Sequence, residues 1–141
     1  GLGASIGAKL ANPDATVICL EGDGAYNFAV PDASLWASLK YDAPFLTVVF
    51  NNHEYNAVTL AWEMGYPQGA WRKQGWVGAD LSPSIKYADV ARALGGFGEE
   101  VTDPAALPGA LRRGLAAVAD GRPAVLDVHV PHLGVKEFMG G

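Results

Sequence analysis

The chain has 141 residues, half of them apolar, which suits one domain with a substantial core. Ten Lys and Arg stand against fifteen Asp and Glu, a formal charge of -5 with no basic stripe, so nucleic acid is not an expected partner. No apolar run approaches the roughly 20 residues of a membrane-spanning helix. The start lacks the basic and apolar parts of a signal peptide, and a cytoplasmic setting without a membrane partner is expected.

Gly1 to Ala8 opens without an initiator Met or a polar leader and reads as the interior of a longer polypeptide. Ala4 to Ala11 is expected to form a short helix ended by Asn12-Pro13-Asp14. Thr16 to Leu20 is a continuous apolar, largely β-branched run, the pattern of a strand covered on both faces. The lone cysteine, Cys19, lies in this run and reads as a small core residue. The glycines of Gly22-Asp23-Gly24 are expected to break the strand. Val30 to Lys40, with Pro31 near its start and Leu35, Trp36 and Leu39 at helical spacing, predicts a helix. Phe45 to Phe50 predicts the next buried strand.

Between Met64 and Pro83 the sequence carries Gly, Pro, Gln and the aromatics Tyr66, Trp71 and Trp76 without clear periodicity, which predicts a long functional or interface loop. Tyr87, Val90, Ala91 and Leu94 share one helix face that Gly95-Gly96 ends. A short strand follows around Phe97 to Val101. Asp103-Pro104 is an N-cap and first-turn signal for a helix whose stripe is Leu107, Leu111, Leu115 and Val118. Ala124 to Val130 supplies the last strand. Apolar strands alternating with helices predict an α/β fold, a three-layer α/β/α sandwich around a mostly parallel sheet.

In open parallel sheets ligands bind beyond the carboxyl ends of the strands. The first good strand is followed by Gly22-Asp23-Gly24-Ala25 and the second by Asn51-Asn52-His53-Glu54. Gly22 and Gly24 permit tight turns and leave the amides of Gly24 and Ala25 open to phosphate oxygens. Asp23 would then face an anion and repel it unless a cation lies between them. Magnesium meets that need, taking an octahedral set of oxygens at about 2.0–2.1 Å. The Asp23 carboxylate, the Asn52 amide oxygen and the Glu54 backbone carbonyl are the candidate metal ligands, with phosphate oxygens and water completing the shell.

Gly22-Asp23-Gly24, followed after 26 residues by Asn51-Asn52, resembles the signature of thiamine diphosphate enzymes, in particular the superfamily of benzoylformate decarboxylase, acetolactate synthase and pyruvate decarboxylase. The resemblance extends over residues 1–130, through the Ala4-Ser5-Ile6-Gly7-Ala8 opening, the Pro13-Asp14 turn and the Pro123-Ala124-Val125-Leu126 strand. It implies the C-terminal, diphosphate-binding domain of such an enzyme, with residues 131–141 as a tail. The implied cofactors are thiamine diphosphate and Mg2+, bound by Gly22, Asp23, Gly24, Ala25, Asn52 and Glu54. The helix after the paired asparagines would present Ala57, Val58, Ala61 and Trp62 to the substrate. Pyruvate decarboxylases carry an acidic residue where Val58 stands, so the resemblance implies an apolar pocket of the acetolactate synthase or benzoylformate decarboxylase kind. The substrate would be a 2-oxo acid or related acyl donor. The catalytic glutamate would come from an N-terminal, pyrimidine-binding domain or subunit within a homodimer or homotetramer, and this chain holds no catalytic residue of its own.

Rival readings are a 2-hydroxyacyl-CoA lyase or oxalyl-CoA decarboxylase-like lyase, a flavin-linked oxidase of the same superfamily, and a non-catalytic diphosphate-binding module. A Rossmann-like nucleotide binder would need Gly-x-Gly-x-x-Gly, which Gly22 to Asn27 does not supply. His53 adjoins the metal loop, and its neighbours are the expected ligands. His129 and His132 read as sheet-end structure, and Glu21 as a strand-end acid awaiting a cation or a partner. Trp62, Tyr66, Trp71 and Trp76 read as packing against another domain or subunit. Tyr26-Asn27-Phe28 either touches the cofactor or packs in a helix.

Overall fold

The computed structural model describes residues 1–83 and 85–134. Of the 131–141 tail, residues 135–141 therefore lie outside the described residues.

Four strands, β1 (Ile18–Gly22), β2 (Leu46–Asn51), β3 (Phe97–Val101) and β4 (Ala124–His129), form one sheet in the order β1-β2-β4-β3. Every neighbouring pair is parallel, with Ile18 opposite Leu46 and Leu46 opposite Ala124. α1 (Leu2–Ala11) precedes β1, and the crossovers that parallel neighbours need are helical: α2 (Asp23–Phe28), α3 (Pro31–Lys40), α4 (Asn56–Gly65), α5 (Trp71–Gln74), α6 (Tyr87–Ala93) and α7 (Leu107–Ala119), the last preceded by a 3-10 turn over Pro104–Ala106. Asp103 caps that turn, accepting the Ala105 N–H at 2.9 Å, as the Asp-Pro pair predicts.

Strand alternation divides the core. Cys19, Phe45, Val49 and Val125 point to one face, where they pack with Leu2, Tyr26, Leu35, Tyr87 and Ala91 from the surrounding helices. Leu46, Val48, Leu126 and Val128 point to the other, under Ala110, Ala117 and Val118 of α7. Cys19 is buried and free, a core residue as expected.

Two expectations need correction. β1 does not stop before the glycines: its ladder with β2 continues to Gly22 opposite Phe50, and the chain passes directly into α2 at Asp23. An extended Gly22 (φ -76, ψ 157) satisfies both strand and helix start. Nor is β1 covered on both faces. It is an edge strand, and Ile18 and Leu20 (66% exposed) lie on the face that α7 covers only farther along the sheet.

The 64–83 stretch is also less irregular than expected. α4 runs on to Gly65 and α5 forms inside it, while its far end returns to the site: Tyr55 N–H donates to Ala79 O and Leu81 N–H to His53 O, both at 2.8 Å.

Candidate functional site

Beyond the carboxyl ends of β1 and β2 lies a cavity of about 680 Å3. Gly22, Asp23, Gly24 and Ala25 line it from one side, Asn52, Glu54, Ala57 and Val58 from another, and Val130, Pro131 and Leu133 close a third. Phe28, Phe50, Tyr55 and Asn56 complete the wall. Eight of the ten candidate residues thus meet in one place. Ala61 and Trp62 do not line it: the cavity reaches only the first turn of α4, and they lie a turn farther on.

Asp23 sits at the base of this space, 3% exposed. Its Oδ1 accepts the Gly24 N–H at 2.8 Å and its Oδ2 the Glu54 N–H at 3.3 Å. The carboxylate therefore joins the loops that follow two neighbouring strands. Among the described residues no Lys or Arg pairs with it. Backbone amides meet part of what a buried carboxylate requires, and a cation at the cavity would meet the rest. No three His, Cys, Asp or Glu side chains among the described residues group to hold a metal, so an ion here would need amide and carbonyl oxygens as well. Asn52 and Glu54 line the same cavity and offer both kinds, an oxygen-only set that suits magnesium.

Gly24 is required by close approach. A Cβ there would meet the Tyr55 ring at 2.6 Å, whereas one on Gly22 would meet nothing within 4 Å. The Gly24 amide, expected to face phosphate, donates to Asp23 Oδ1.

The loop after β2 is braced from below. Asn51, fully buried, donates from Nδ2 to Asp127 Oδ1 at 2.8 Å and accepts the His53 N–H on its Oδ1 at 3.1 Å. His53 takes a left-handed backbone (φ 62). Burial pushes the Asp127 carboxyl above the ordinary range, and the Asn51 hydrogen bond opposes that shift. Sequence reasoning did not single out Asp127, because an acid inside the run Ala124 to His129 carries no local signal of what lies across the sheet.

The histidines are structural neighbours of the site. His53 stacks edge-on against His129 at 5.1 Å, and His129 Nε2 lies 2.9 Å from Glu100. His132 Nδ1 lies 2.5 Å from Glu54 Oε2, and Asn56 Nδ2 donates to Leu133 O at 3.1 Å, so the segment after β4 is tied across the cavity. Sequence reading left Pro131 and Leu133 unassigned as pocket residues, since they follow the last recognisable element. Glu21 Oε1 is 2.9 Å from the Gly1 nitrogen. Tyr26 is core, edge-on to Tyr87 at 5.2 Å, and burial raises both hydroxyl pKa values, that of Tyr87 to about 12. Phe28 instead reaches the cavity beside Tyr55. The aromatics Trp62, Tyr66 and Trp71 line a separate cavity of about 330 Å3, where Trp71 stacks on Trp76 at 4.4 Å.

A parallel α/β domain with a carboxylate and backbone amides converging at the carboxyl ends of adjacent strands has its cavity where open parallel sheets bind ligands. Comparison with known proteins goes further: residues 1–128 match the family described as "Thiamine pyrophosphate enzyme, C-terminal TPP binding domain", and the chain belongs to that family. It is 37% identical over 129 residues to the acetolactate synthase large subunit IlvG of Mycobacterium tuberculosis, covering 91% of this chain and 21% of that protein. Identity to benzoylformate decarboxylase of Pseudomonas aeruginosa is 33% over 131 residues, 91% of this chain and 22% of that one. The solved 4-hydroxybenzoylformate decarboxylase of Rhodococcus jostii RHA1, described as thiamine diphosphate-dependent, superposes with a TM-score of 0.73 at 28% identity, covering 95% of this chain and 23% of its own. The chain thus spans about a fifth of the length of the curated relatives it matches. It is a thiamine diphosphate-binding domain of the acetolactate synthase and benzoylformate decarboxylase kind. No helix among the described residues is long and apolar enough to cross a membrane.

Proposed function

We propose that this chain anchors the diphosphate of thiamine diphosphate through Mg2+, within an enzyme that decarboxylates or ligates a 2-oxo acid or related acyl donor. The observation that carries the reading is the buried Asp23 carboxylate, drawn to the Glu54 amide and open to a cavity that Asn52 and Glu54 also line. Asp23, the Asn52 amide and the Glu54 carbonyl would hold the ion, and the Ala25 amide at the same wall would meet the diphosphate. The bound cofactor would supply the nucleophile and electron sink for cleaving or forming a bond beside a carbonyl.

The residues of this chain have a separate task. A cofactor anchored at the strand ends would share the cavity with Ala57 and Val58 at the start of α4. These two side chains, with Phe28, Phe50 and Leu133, make that wall apolar and limit water at the acyl group. The proton transfers of the reaction are assigned to a glutamate of a pyrimidine-binding domain or subunit, in a homodimer or homotetramer. The apolar wall at Val58 and the acetolactate synthase and benzoylformate decarboxylase relatives favour those two chemistries over the CoA lyases and oxidases.

Calorimetric titration of thiamine diphosphate into the native protein, with magnesium and with chelator, tests this reading. Asp23→Ala is expected to abolish magnesium-dependent retention, a loss larger than the tenfold to about a hundredfold that removing an outer partner of a metal site causes. Unchanged affinity in the variant would overturn the assignment.

A further inference from the structure

The thiamine diphosphate reading leaves one buried acid unused. Asp127 is 2% exposed and lies within β4, opposite Val49 of β2, with its side chain on the face covered by α6. It is not among the residues that line the cavity. Its Oδ1 receives the Asn51 Nδ2 hydrogen bond, and the opposite end of the same carboxamide receives the His53 N–H. His53 stands between Asn52 and Glu54, both at the cavity wall, and holds a left-handed backbone that non-glycine residues rarely adopt.

We propose that Asp127 is a positioning residue, acting through the Asn51 carboxamide to fix the His53 turn and thereby the directions of the Asn52 amide and the Glu54 carbonyl. The reason is the polarity of an amide. A carboxamide has a donor end and an acceptor end of nearly equal size, so shape alone does not choose between its two orientations. An oxygen of Asp127 accepts and so selects the donor end, which leaves the Asn51 oxygen for the His53 N–H. If the amide turned over, its NH2 would face the His53 N–H, donor against donor. The Leu81 N–H on His53 O fixes the carbonyl of the same residue, so the turn is held at both ends.

The destination of this relay, the metal ligands, rests on the proposed function; the relay itself is a property of the chain without ligands. The test therefore uses two readouts on the native protein, amide hydrogen exchange at His53 and Glu54 without cofactor and calorimetric binding of thiamine diphosphate with Mg2+. Asp127→Asn has one acceptor oxygen where the carboxylate serves both Asn51 and the Tyr87 backbone N–H, and is expected to fall between the parent and Asp127→Val in both. Asp127→Val removes the acceptor and is expected to speed exchange at His53 by about tenfold and weaken cofactor binding by about tenfold, the effect of an outer partner of a metal site. Asn51→Asp sets two carboxyl groups against each other and is expected to be impaired likewise. Combining Asn51→Asp with Asp127→Asn restores one donor and one acceptor at unchanged net charge, and is expected to recover both readouts to within about threefold of the parent. This exchange, nearly equal in volume to the parent pair, keeps the proposal falsifiable if the valine variant does not fold.

Parent-like protection of His53 in Asp127→Val overturns the proposal. So does an Asn51→Asp protein that matches the parent, or one that the second exchange fails to rescue. A parent that binds no thiamine diphosphate, yet shows the predicted exchange pattern, overturns the function reading and upholds the relay.

Discussion

The Glu54 backbone N–H donates to Asp23 Oδ2 across 3.3 Å, fastening the turn after β2 to the start of the helix after β1. One carboxylate thus sets the distance between the two segments that would share a metal ion. Its other oxygen accepts the Gly24 N–H at 2.8 Å, so backbone amides on both oxygens fix its direction. Preorganisation of this kind lowers the cost of binding.

The close packing of Gly24 against Tyr55 makes a direct prediction. A methyl group at position 24 would sit 2.6 Å from the Tyr55 ring and must push that ring and the adjoining Glu54 turn away. Gly24→Ala is expected to weaken thiamine diphosphate binding by about tenfold, the scale of losing an outer partner of a metal site. Gly22→Ala, with open space around it, is expected to cost less. Calorimetry on both variants checks the order, and equal losses would contradict it.

Val58 tests the acyl wall. It lines the cavity from the first turn of α4 with its side chain partly exposed to it. Val58→Phe is expected to change the ratio of kcat/KM between a small and a bulky 2-oxo acid by about tenfold or more, the scale of altered pocket volume. Cofactor affinity is expected to stay within about threefold. Equal effects on both, from steady-state kinetics and cofactor titration, would remove Val58 from the acyl wall.

The sheet offers a test of the fold. A Cβ on Gly98 would lie 1.9 Å from the Ala88 carbonyl oxygen, because α6 packs with its backbone against β3. The obstacle is backbone, which cannot swing aside. Gly98→Ala is expected to destabilise the protein by about 3 kcal/mol, the upper end of overpacking costs. A urea midpoint unchanged from the parent would show that α6 and β3 are not this close.

Glu99 of β3 pairs with Arg113 of α7, Arg113 Nε lying 2.9 Å from Oε2. The Arg113 hydrogen bond holds the Glu99 carboxyl below its ordinary range. A depressed carboxylate adds stability above its unfolded pKa, about 4.3, and loses that contribution as pH falls through the lower folded value. Glu99→Gln is therefore expected to lower the thermal midpoint slightly at pH 7, with the gap closing below about pH 4. Solvent at this partly exposed pair keeps the effect small. A gap that persists at low pH would assign the loss to packing instead.

The sheet was legible because its strands are short and bounded by turn residues, with apolar runs in β1, β2 and β4, and Phe97 to Val101 was located to the residue. The edge position of β1 was not, since Ile18 and Leu20 carry the same side chains whether a helix covers them or not. The bounds of α2 were not legible either, because six residues with a glycine give no periodicity. At the site, the two loop ends were readable from Gly22-Asp23-Gly24 and Asn51-Asn52 with their spacing. Asp127, Pro131 and Leu133 were not, because their positions depend on pairing across the sheet and on the path of the chain after it.

The central claim is that Asp23, Asn52 and Glu54 share one divalent ion with a diphosphate, and a crystal of the native protein grown with thiamine diphosphate and manganese in place of magnesium tests it most directly. The account predicts a single anomalous peak bonded to the Asp23 carboxylate, the Asn52 amide oxygen, the Glu54 carbonyl and the diphosphate. A metal bound by diphosphate and water alone, or a diphosphate seated elsewhere in the molecule, would contradict it.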